Sequence, residues 1–451
     1  MTSPARRAAH QVLRTVHTGR ADLATALERA RGGLADARDR ALAGAIAAGA
    51  LRWRAAIDHL LGQVAERPLG RVDAAVLDVL RAGVFELRFL DRVPAHATVH
   101  DAVSLTREVA RPGADRFVNG LLRRLSDPRC PASLPFAPRS AGKAARAEAL
   151  DYLAITLSHP RWLAERWLDR HGLDDAAAWA RFDNEPAPVS LRANRLRASR
   201  EEAAERLAAQ GVRTTAGRWA PDALDVGTGH PGFTPAFADG DILVQDEAAQ
   251  LVAALVEAEP GMRVLDVCAA PGGKTVGVAG DMADRGVLVA ADLRPRRLAV
   301  LEATVRRCRA ECVRLVRLDA TRPLPFAPTF DRVLVDAPCS GLGTLRSDPD
   351  IRWRVTPDRL ASLALRQDAL LARAAATVRA GGRLVYATCS GEPEENEHVV
   401  DRFRQTHPHF RTVRPAAPEA ARFLDAADCF RTLPFRDGLQ AFFGAVLERD
   451  L

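Results

Sequence analysis

The stretch Arg332-Val-Leu-Val-Asp-Ala-Pro-Cys-Ser-Gly-Leu-Gly343 decides the fold of this chain. Its apolar run from Val333 to Val335 is continuous rather than alternating, which predicts a strand covered on both faces, as in a parallel α/β sheet. The run stops at Asp336, and Cys339 follows shortly afterwards. Because ligands of such sheets bind beyond the carboxyl ends of the strands, this stretch predicts a strand that ends in a reactive loop.

A second stretch repeats this pattern about 50 residues further on. Arg383-Leu-Val-Tyr-Ala-Thr-Cys-Ser390 is again an apolar run that ends in small polar residues and a cysteine. Carboxyl ends of parallel strands meet at one edge of a sheet. We therefore expect Cys339 and Cys389 to face one pocket.

The sequence from Asp241 onward alternates between apolar runs and helical patterns. A helix is predicted at 246–256, and strands are predicted at 263–267, 287–291, 313–317, 332–335 and 383–387. This alternation is typical of a doubly wound sheet. A last pair of apolar runs near 430–433 and 441–447, joined through Asp437-Gly438, predicts a closing hairpin.

The front of the chain has a different pattern. Residues 3–125 show helical periodicity almost throughout, which predicts an all-α domain over residues 1–140. Prolines recur between Ser126 and Arg146 and predict a linker.

A small α+β domain is predicted over residues 150–235. Its helices resume near Leu150 and stop at Gly172, and the order strand, helix, extended stretch follows from residue 188 onward, in a βαβ-type arrangement. Polar residues of the first strand are predicted to line an RNA surface, with exposure to solvent alone as the alternative. They are Arg192, Asn194, Arg195 and Arg197.

Composition bounds the class of protein. With 451 residues and 47% hydrophobic side chains, the chain can fill the cores of two or three domains. No apolar run approaches the roughly 20 residues of a membrane span, and the N-terminus lacks the apolar core of a signal peptide. We expect a cytoplasmic monomer without membrane contact.

The seven cysteines are odd in number and scattered, which argues against a disulfide framework. Cys308 and Cys312 lie a helical turn apart but lack the further ligands that a zinc site needs, so no metal site is predicted. A cysteine is most often a small buried hydrophobe, and we prefer that interpretation for Cys130, Cys268 and Cys429.

Positive charge is concentrated at the front. Residues 1–150 carry 24 basic and 15 acidic side chains, a net charge of +9, whereas residues 151–451 carry 40 and 42, a net charge of −2. Clustered arginine favours an anionic partner such as nucleic acid through counterion release. An ordinary solvated helical surface is the alternative that charge alone leaves open.

A candidate cofactor loop lies at Val264-Leu-Asp-Val-Cys-Ala-Ala-Pro-Gly-Gly-Lys-Thr275, which combines a strand, small residues and a helix start. Gly272 and Gly273 let a ligand approach the backbone, and the helix N-terminus offers free amides to a carboxylate. The spacing of a phosphate-binding P-loop and that of a dinucleotide fingerprint are both absent from this stretch.

Acids end the neighbouring strands. Asp266, Asp292 and Asp319 each follow an apolar run, and an acid at such a position can accept hydrogen bonds from ribose hydroxyls. A glycine loop with acids at successive strand ends suits a nucleoside with an amino-acid tail, namely S-adenosylmethionine. Taken singly, each acid is equally well a helix cap or turn residue.

These blocks resemble a known family. Asp266-Val-Cys-Ala-Ala-Pro-Gly-Gly-Lys-Thr275, Asp336-Ala-Pro-Cys-Ser-Gly341, and Thr388-Cys-Ser390 followed by Glu394-Glu-Asn-Glu397 are similar to motifs of the RNA cytosine carbon-5 methyltransferases. Front segments such as Arg92-Val-Pro-Ala-His96 and Arg116-Phe-Val-Asn-Gly-Leu-Leu-Arg-Arg124 resemble the RNA-binding fold of the antitermination factor NusB.

The resemblance implies a multidomain α and α/β protein. It would have a NusB-like all-α domain (1–140), a small RNA-contacting α+β domain (150–235) and a Rossmann-like class I methyltransferase domain (236–451). The implied activity is methylation of a cytosine at carbon 5 in small-subunit (16S) ribosomal RNA. The implied cofactor is S-adenosylmethionine, and the implied partner is RNA rather than DNA.

The resemblance also implies site roles. Cys389 would be the nucleophile, Cys339 would assist release of the methylated base, and Asp336 would lie beside the base. The residues implied around the cofactor are Asp266, Cys268, Ala269, Ala270, Pro271, Gly272, Gly273, Lys274, Asp292, Arg297, Asp319 and Asp336.

The glutamates after Cys389 are in tension with a nucleophilic thiolate, because nearby carboxylates raise a thiol pKa. Pro393 suits the first turn of a helix, whose amino end would favour the thiolate instead. The sequence leaves this open. It also leaves open a methyltransferase of the same chemistry acting on tRNA or another RNA, and a non-catalytic RNA-binding protein, although a binding module needs no thiols at two strand ends.

Overall fold

The computed structural model describes residues 2–91, 93–138 and 143–451. Part of the predicted linker (139–142) and Arg92 lie outside the described residues. The chain forms two compact units. Unit 1 comprises Met1–Pro186 and Leu345–Arg354, and unit 2 comprises Ala187–Thr344 and Val355–Leu451. The domain boundaries predicted from the sequence stay predictions.

Unit 1 is helical, as predicted for the front of the chain. Its longer helices are Pro4–His17, Leu23–Arg31, Ala37–Arg52, Arg54–Val64, Ala74–Phe89, Ala95–Val109, Ala114–Ser126, Lys143–Asp151 and Arg161–Asn184. Gly172 interrupts the last of these with φ 77°, which confirms the predicted stop. Residues 127–138 of the predicted linker contain neither helix nor strand, whereas its two ends are helical, in Ala114–Ser126 and Lys143–Asp151.

Helix Ala74–Phe89 lies at the centre of the unit 1 core. The side chain of Asp73 caps its first turn by accepting from the N–H of Ala75 at 2.8 Å, and Val79, Leu80 and Val84 are almost fully buried. A Cβ added to Gly49 would lie 2.0 Å from the ring of Phe85. The glycine therefore permits close packing of helix Ala37–Arg52 on the central helix.

The segment Leu345–Arg354 also belongs to unit 1. Arg352, in its short helix Ile351–Arg354, is fully buried, and its guanidinium donates to the carbonyl oxygens of Arg52 and Ser158 and to Oδ1 of Asn184 at 3.0 to 3.2 Å. The indole of Trp353 donates to the carbonyl oxygen of Leu51 at 2.6 Å. These bonds tie the segment to the front helices.

A small antiparallel sheet opens unit 2. Its strands are β1 (Ser190–Ala193), β2 (Arg213–Ala216), β3 (Ala223–Thr228) and β4 (Ile242–Val244), in the order β2-β3-β1-β4. Helix Arg200–Ala209 connects β1 to β2, and a capping box at Ser199 and Glu202 begins it. β3 separates these two parallel strands, so the predicted βαβ-type unit is present in its split form.

The structure contradicts the predicted RNA surface at two of its four polar residues, Arg192 and Asn194, which are buried. For the partly exposed Arg195 and Arg197 the surface stays a prediction. Arg192 is buried and pairs with Asp222 at 3.3 Å. Asn194 is buried and donates to the carbonyl oxygens of Gly240 and Cys308. Arg195 pairs with Asp222 at 3.0 Å, and Arg197 lies 3.7 Å from Asp241. A sequence does not reveal that these charges are neutralised within the fold.

The large sheet carries the predicted doubly wound pattern. Its strands are β5 (Arg263–Asp266), β6 (Val287–Asp292), β7 (Val313–Arg317), β8 (Phe330–Asp336), β9 (Val378–Thr388), β10 (Phe410–Thr412), β11 (Phe430–Arg431) and β12 (Phe443–Arg449). The order is β10-β12-β9-β8-β5-β6-β7, with β11 paired to β12. β5 to β9 pair in parallel, and the strands near the carboxyl end pair antiparallel.

Helices cover both faces of this sheet, as the alternation predicts. The helices of unit 2 are Arg200–Ala209, Pro235–Ala238, Glu247–Ala254, Gly273–Asp281, Pro295–Cys308, Pro357–Ala375, Glu397–Thr406 and Pro434–Asp437. The closing pair of strands is present, but its connection is not a tight hairpin. A short helix ends at Asp437, and Gly438 takes φ 68° as its left-handed cap.

Candidate active site

The two cysteine loops meet at one edge of the large sheet. β8 and β9 are neighbouring parallel strands whose register pairs Asp336 with Ala387. The loops that follow bring Sγ of Cys339 to 3.1 Å from Sγ of Cys389, and both cysteines line one cleft of about 350 Å³. This confirms the expectation that both face one pocket.

The cleft gathers side chains from five strand ends. Its remaining lining consists of Val267, Cys268, Lys274, Asp292, Leu293, Arg294, Arg297, Leu318, Asp319, Ala320, Asp336, Ala337, Pro338, Thr344, Arg366, Leu370 and Phe442. Several of these carry charge or hydrogen-bonding groups, and the others form apolar walls. A concave pocket of this kind is the expected form of a small-molecule site.

The Cys339 thiol keeps its proton. Its hydrogen bond with Cys389 raises its pKa well above the usual range, and burial and the charges of Cys389 and Glu395 add to the effect. Either sulfur atom can donate in the contact between the two thiols. Cys268, in the same cleft, also has a raised pKa because of burial and the nearby charge of Asp266.

An ion pair lies beside the thiols. Nζ of Lys274 donates to Oδ2 of Asp336 at 2.8 Å. Burial alone would lower the pKa of Lys274, but the charge of Asp336 and the hydrogen bond to it more than offset this, so the pKa is raised. Lys274 is therefore a protonated donor next to the carboxylate.

The glycine loop has the predicted form. Gly272 takes φ 108° and begins helix Gly273–Asp281, and a Cβ at Gly272 would lie 2.9 Å from Leu301. A second cleft of about 340 Å³ borders the loop on Ala269, Ala270, Pro271 and Gly273 and shares Lys274 and Asp336 with the first. Gly272 shapes the loop and lines neither cleft.

Asp266 is a buried acid of the second cleft with a raised pKa. It is 1% exposed, and burial raises its pKa to about 7 against the hydrogen bond that it accepts from Thr275 at 2.7 Å. Its other oxygen, Oδ1, is buried without a hydrogen-bond partner. Such an atom costs free energy unless a ligand or water satisfies it.

The other two acids differ in setting. Asp292 is buried, accepts from the N–H of Arg294 at 3.0 Å and lies 3.4 Å from Nε of Arg297. Asp319 is about a third exposed and accepts from the hydroxyl of Thr321 at 2.7 Å, which lowers its pKa. Arg297 also donates to the carbonyl oxygen of Ala270.

The sequence interpretation missed several residues of the site. Thr344, Arg366 and Phe442 line the first cleft but stand in segments without a recognisable motif. The sequence presents Glu395 only as a charge near Cys389, whereas its buried carboxylate accepts hydrogen bonds from Ser340. Its position inside a glutamate-rich run was the available signal.

Among the described residues, no cluster of three or more His, Cys, Asp and Glu side chains has the arrangement of a metal site. Within the same part of the chain, no helix is long and apolar enough to cross a bilayer.

Three family models match successive parts of the chain. Residues 3–127 match the NusB family, and residues 159–231 match the ferredoxin-like domain of RsmF/B-like methyltransferases. Residues 253–448 match the 16S rRNA methyltransferase RsmB/F model. The match at 159–231 agrees with the split βαβ unit of the small sheet.

Relatives span nearly the whole chain. A probable ribosomal RNA small subunit methyltransferase B of Synechocystis is 35% identical over 89% of this chain and 89% of its own, and that of Bacillus subtilis is 32% identical over 88% and 87%. The crystal structure of PH0851 has a TM-score of 0.81 at 26% identity, covering 100% of this chain and 99% of that one. The chain belongs to the RsmB/F family of 16S ribosomal RNA methyltransferases, which depend on S-adenosylmethionine.

Proposed function

We propose that this protein methylates carbon 5 of a cytosine in 16S ribosomal RNA through a covalent bond between Cys389 and the base. The observation that carries the proposal is the pair of thiols 3.1 Å apart at two strand ends, beside Asp336 in one cleft. Carbon 5 of cytosine is a poor nucleophile, so a methyltransferase acting there needs covalent activation of the ring.

The residues of the clefts fit S-adenosylmethionine. The unpartnered Oδ1 of Asp266 offers an acceptor for an ammonium group, and buried Asp292 offers one for ribose hydroxyls. The amides at the start of helix Gly273–Asp281 suit a carboxylate. Arg297 and Asp319 complete the proposed set around the nucleoside. When bound, the cofactor supplies an electrophilic methyl group on a sulfonium.

Cys389 is proposed to begin the reaction as a thiolate that adds to carbon 6. The new S–C bond pushes electrons into the ring, and carbon 5 becomes the nucleophilic end of an enamine. Asp336 is assigned to ring nitrogen 3, where negative charge builds. Nζ of protonated Lys274 lies 2.8 Å from Oδ2 of that carboxylate, so a proton is available at this position.

Cys339 is proposed to act in the release step. A base must take the proton from carbon 5, after which the electrons re-form the ring double bond and the S–C bond of Cys389 breaks. In the free protein the hydrogen bond and charge of Cys389 raise the pKa of Cys339. Bonding of Cys389 to carbon 6 removes both causes, so the pKa of Cys339 falls when a base is needed.

The target base must reach the cleft. A cytosine that is paired has to leave its stack, or it must be presented in a loop. The basic field of residues 1–150 is proposed to hold the RNA through its phosphates.

Single substitutions of the two thiols test the proposal. Cys389→Ala cannot bond to carbon 6, so it should bind RNA without giving an adduct. Cys339→Ala should add, transfer the methyl group and then stall, leaving an RNA–protein adduct that survives denaturing electrophoresis. Radiolabelled target RNA with S-adenosylmethionine supplies the readout. An adduct with Cys389→Ala alone would reverse the roles, and turnover that needs neither thiol would contradict the covalent mechanism.

A further inference from the structure

A buried carboxylate holds the loop that carries Cys339. Glu395 is fully buried, and its Oε1 accepts from the N–H of Ser340 at 2.8 Å while its Oε2 accepts from the hydroxyl of Ser340 at 2.5 Å. Oε1 also accepts from Nε2 of Gln367 at 3.0 Å. A buried carboxylate that accepts three hydrogen bonds has few alternative positions.

Gln367 extends this contact to the other side of the cysteine. Its side-chain amide is fully buried and also donates to the carbonyl oxygen of Pro338 at 3.1 Å. The two residues that flank Cys339 in the chain are thus both anchored to Glu395, one directly and one through Gln367.

The next residue, Asn396, makes the matching contacts around Cys389. Its Oδ1 accepts from the hydroxyl of Thr388 at 2.5 Å, and its Nδ2 donates to the carbonyl oxygen of Ser390 at 2.9 Å. Asn396 and Thr388 are fully buried, and Ser390 is 1% exposed. Asn396 therefore fixes both chain neighbours of Cys389.

We infer that Glu395 and Asn396 form one positioning element that sets the two thiols against each other, Glu395 for Cys339 and Asn396 for Cys389. This inference rests on the proposed function. The hydroxyl of Tyr386 donates to the carbonyl oxygen of Glu395 at 2.5 Å, which fixes the element to strand β9. Neither residue lines the cleft that holds the two thiols.

The chemistry requires such an element. The thiols act on adjacent ring atoms, carbon 6 and carbon 5, from two separate loops. A displacement of one loop by about 1 Å is enough to slow a step by roughly a hundredfold. Displacement of the Cys339 loop slows release, whereas displacement of the Cys389 loop slows addition.

Nearly isosteric substitutions separate the two halves of the element. Glu395→Leu removes every acceptor for the donors of Ser340 and Gln367, and Asn396→Asp turns an oxygen toward the carbonyl oxygen of Ser390. With Glu395→Leu, the RNA adduct should form at a rate near that of the parent protein and decay roughly tenfold or more slowly. Loss of the Glu395 charge by itself lowers the pKa of Cys339 and favours release, so a slower decay reports the position of the loop. With Asn396→Asp, the adduct should form roughly tenfold or more slowly and not accumulate.

Milder variants of the same contacts and a control variant complete the experiment. Ser340→Ala and Thr388→Val remove only one hydroxyl each and should give smaller changes in the same two directions, so they replace an isosteric variant that fails to fold. Glu397→Gln is the control, since this neighbouring carboxylate is partly exposed and pairs with Arg431. It should behave as the parent protein.

Denaturing gels over a time course measure the rates at which the RNA–protein adduct forms and decays for each variant, with Cys339→Ala in parallel. The inference is supported if only the variants at Glu395 and Ser340 slow the decay of the adduct and only those at Asn396 and Thr388 slow its formation. Equal changes of both rates in both sets of variants, or no change in either, would overturn the inference. The proposed function still stands in that case if Cys339→Ala accumulates adduct. Absence of adduct with Cys339→Ala would instead overturn the proposed function.

Discussion

At the scale of the residue, burial separates three acids that the sequence presents as equivalent. The side chain of Asp292 is 9% exposed, whereas that of Asp319 is 32% exposed, and Asp266 is buried with only 1% of the residue exposed. A buried acceptor gains more from a ligand donor than a solvated one, because water competes less for it. The three acids should therefore differ in their effect on cofactor binding.

Asp292→Ala should weaken S-adenosylmethionine binding without unfolding the protein. Loss of hydrogen bonds to a charged acceptor should cost about 1.5–3 kcal/mol. Asp319→Ala, the matched control, should cost less because its carboxylate is solvated and already bonded to Thr321. Titration calorimetry measures both. If Asp292→Ala binds S-adenosylmethionine within about twofold of the parent affinity, the change is smaller than the cost of one such hydrogen bond. That result would contradict the role of Asp292 in cofactor binding.

Asp266 predicts a dependence of stability on pH. Its pKa is raised to about 7 by burial, so the native state binds this proton more tightly than the unfolded chain does. Protonated Asp266 therefore contributes to the free energy of unfolding. This contribution is fully present below the pKa of about 4 that the group has in the unfolded chain, and it is lost as the pH rises through about 7. Asp266→Asn cannot titrate, so its free energy of unfolding relative to the parent should rise across this window. Urea unfolding without cofactor at several pH values measures this, and a constant difference would contradict it.

At the scale of the element, the segment Leu345–Arg354 is the least expected feature. It follows the Cys339 loop in sequence but belongs to the helical unit. Burial raises the pKa of Asp183 to about 8 and lowers the pKa of Arg352 to about 9, and the interaction of the two groups opposes both shifts. The attachment of this segment to the helical unit thus relies on ionisable groups whose burial costs free energy.

Arg352→Met should destabilise the protein by about 3–5 kcal/mol, because the carbonyl oxygens of Arg52 and Ser158 and Oδ1 of Asn184 lose their buried cationic donor. Arg146→Met is the control. Its side chain is 45% exposed and pairs with Glu165 and Asp169, which are more than half exposed, so the loss should be about 0–1 kcal/mol. Urea unfolding of both variants gives the comparison, and equal losses would show that Arg352 is not the anchor.

The sequence predicted elements well where one pattern dominates. The continuous run at Val333 to Val335 and the small residues around Gly272 allowed the sheet edge and the glycine loop to be placed. The sequence failed where long-range partners decide. Nothing local to Arg192 shows that Asp222 will neutralise it, and nothing local to Glu395 shows that it will reach Ser340.

At the scale of the whole molecule, removal of residues 1–140 is no longer a clean test of RNA binding. The segment Leu345–Arg354 and the helix Arg161–Asn184 belong to the same compact unit as the front helices. A truncation would expose their buried groups, including Arg352. Substitution of surface charge is the better experiment.

Exposed arginines of helix Ala114–Ser126 provide that test. Arg116→Gln and Arg123→Gln together should weaken RNA binding and flatten the plot of log affinity against log salt by about 0.7 to 0.9 per lost phosphate contact. Cofactor affinity should not change. Fluorescence anisotropy at several salt concentrations measures the slope. An unchanged slope would mean that this face of the basic field is only a solvated surface.

The central claim is that the protein makes 5-methylcytosine in 16S ribosomal RNA with Cys389 as nucleophile. Bisulfite sequencing of ribosomal and transfer RNA from a deletion strain tests it most directly, with complementation by the parent chain and by Cys389→Ala. A cytosine of 16S RNA should lose its protection in the deletion strain, regain it with the parent chain and stay unprotected with Cys389→Ala. Protection in 16S RNA that is unchanged by the deletion, or a change confined to transfer RNA, would contradict the account.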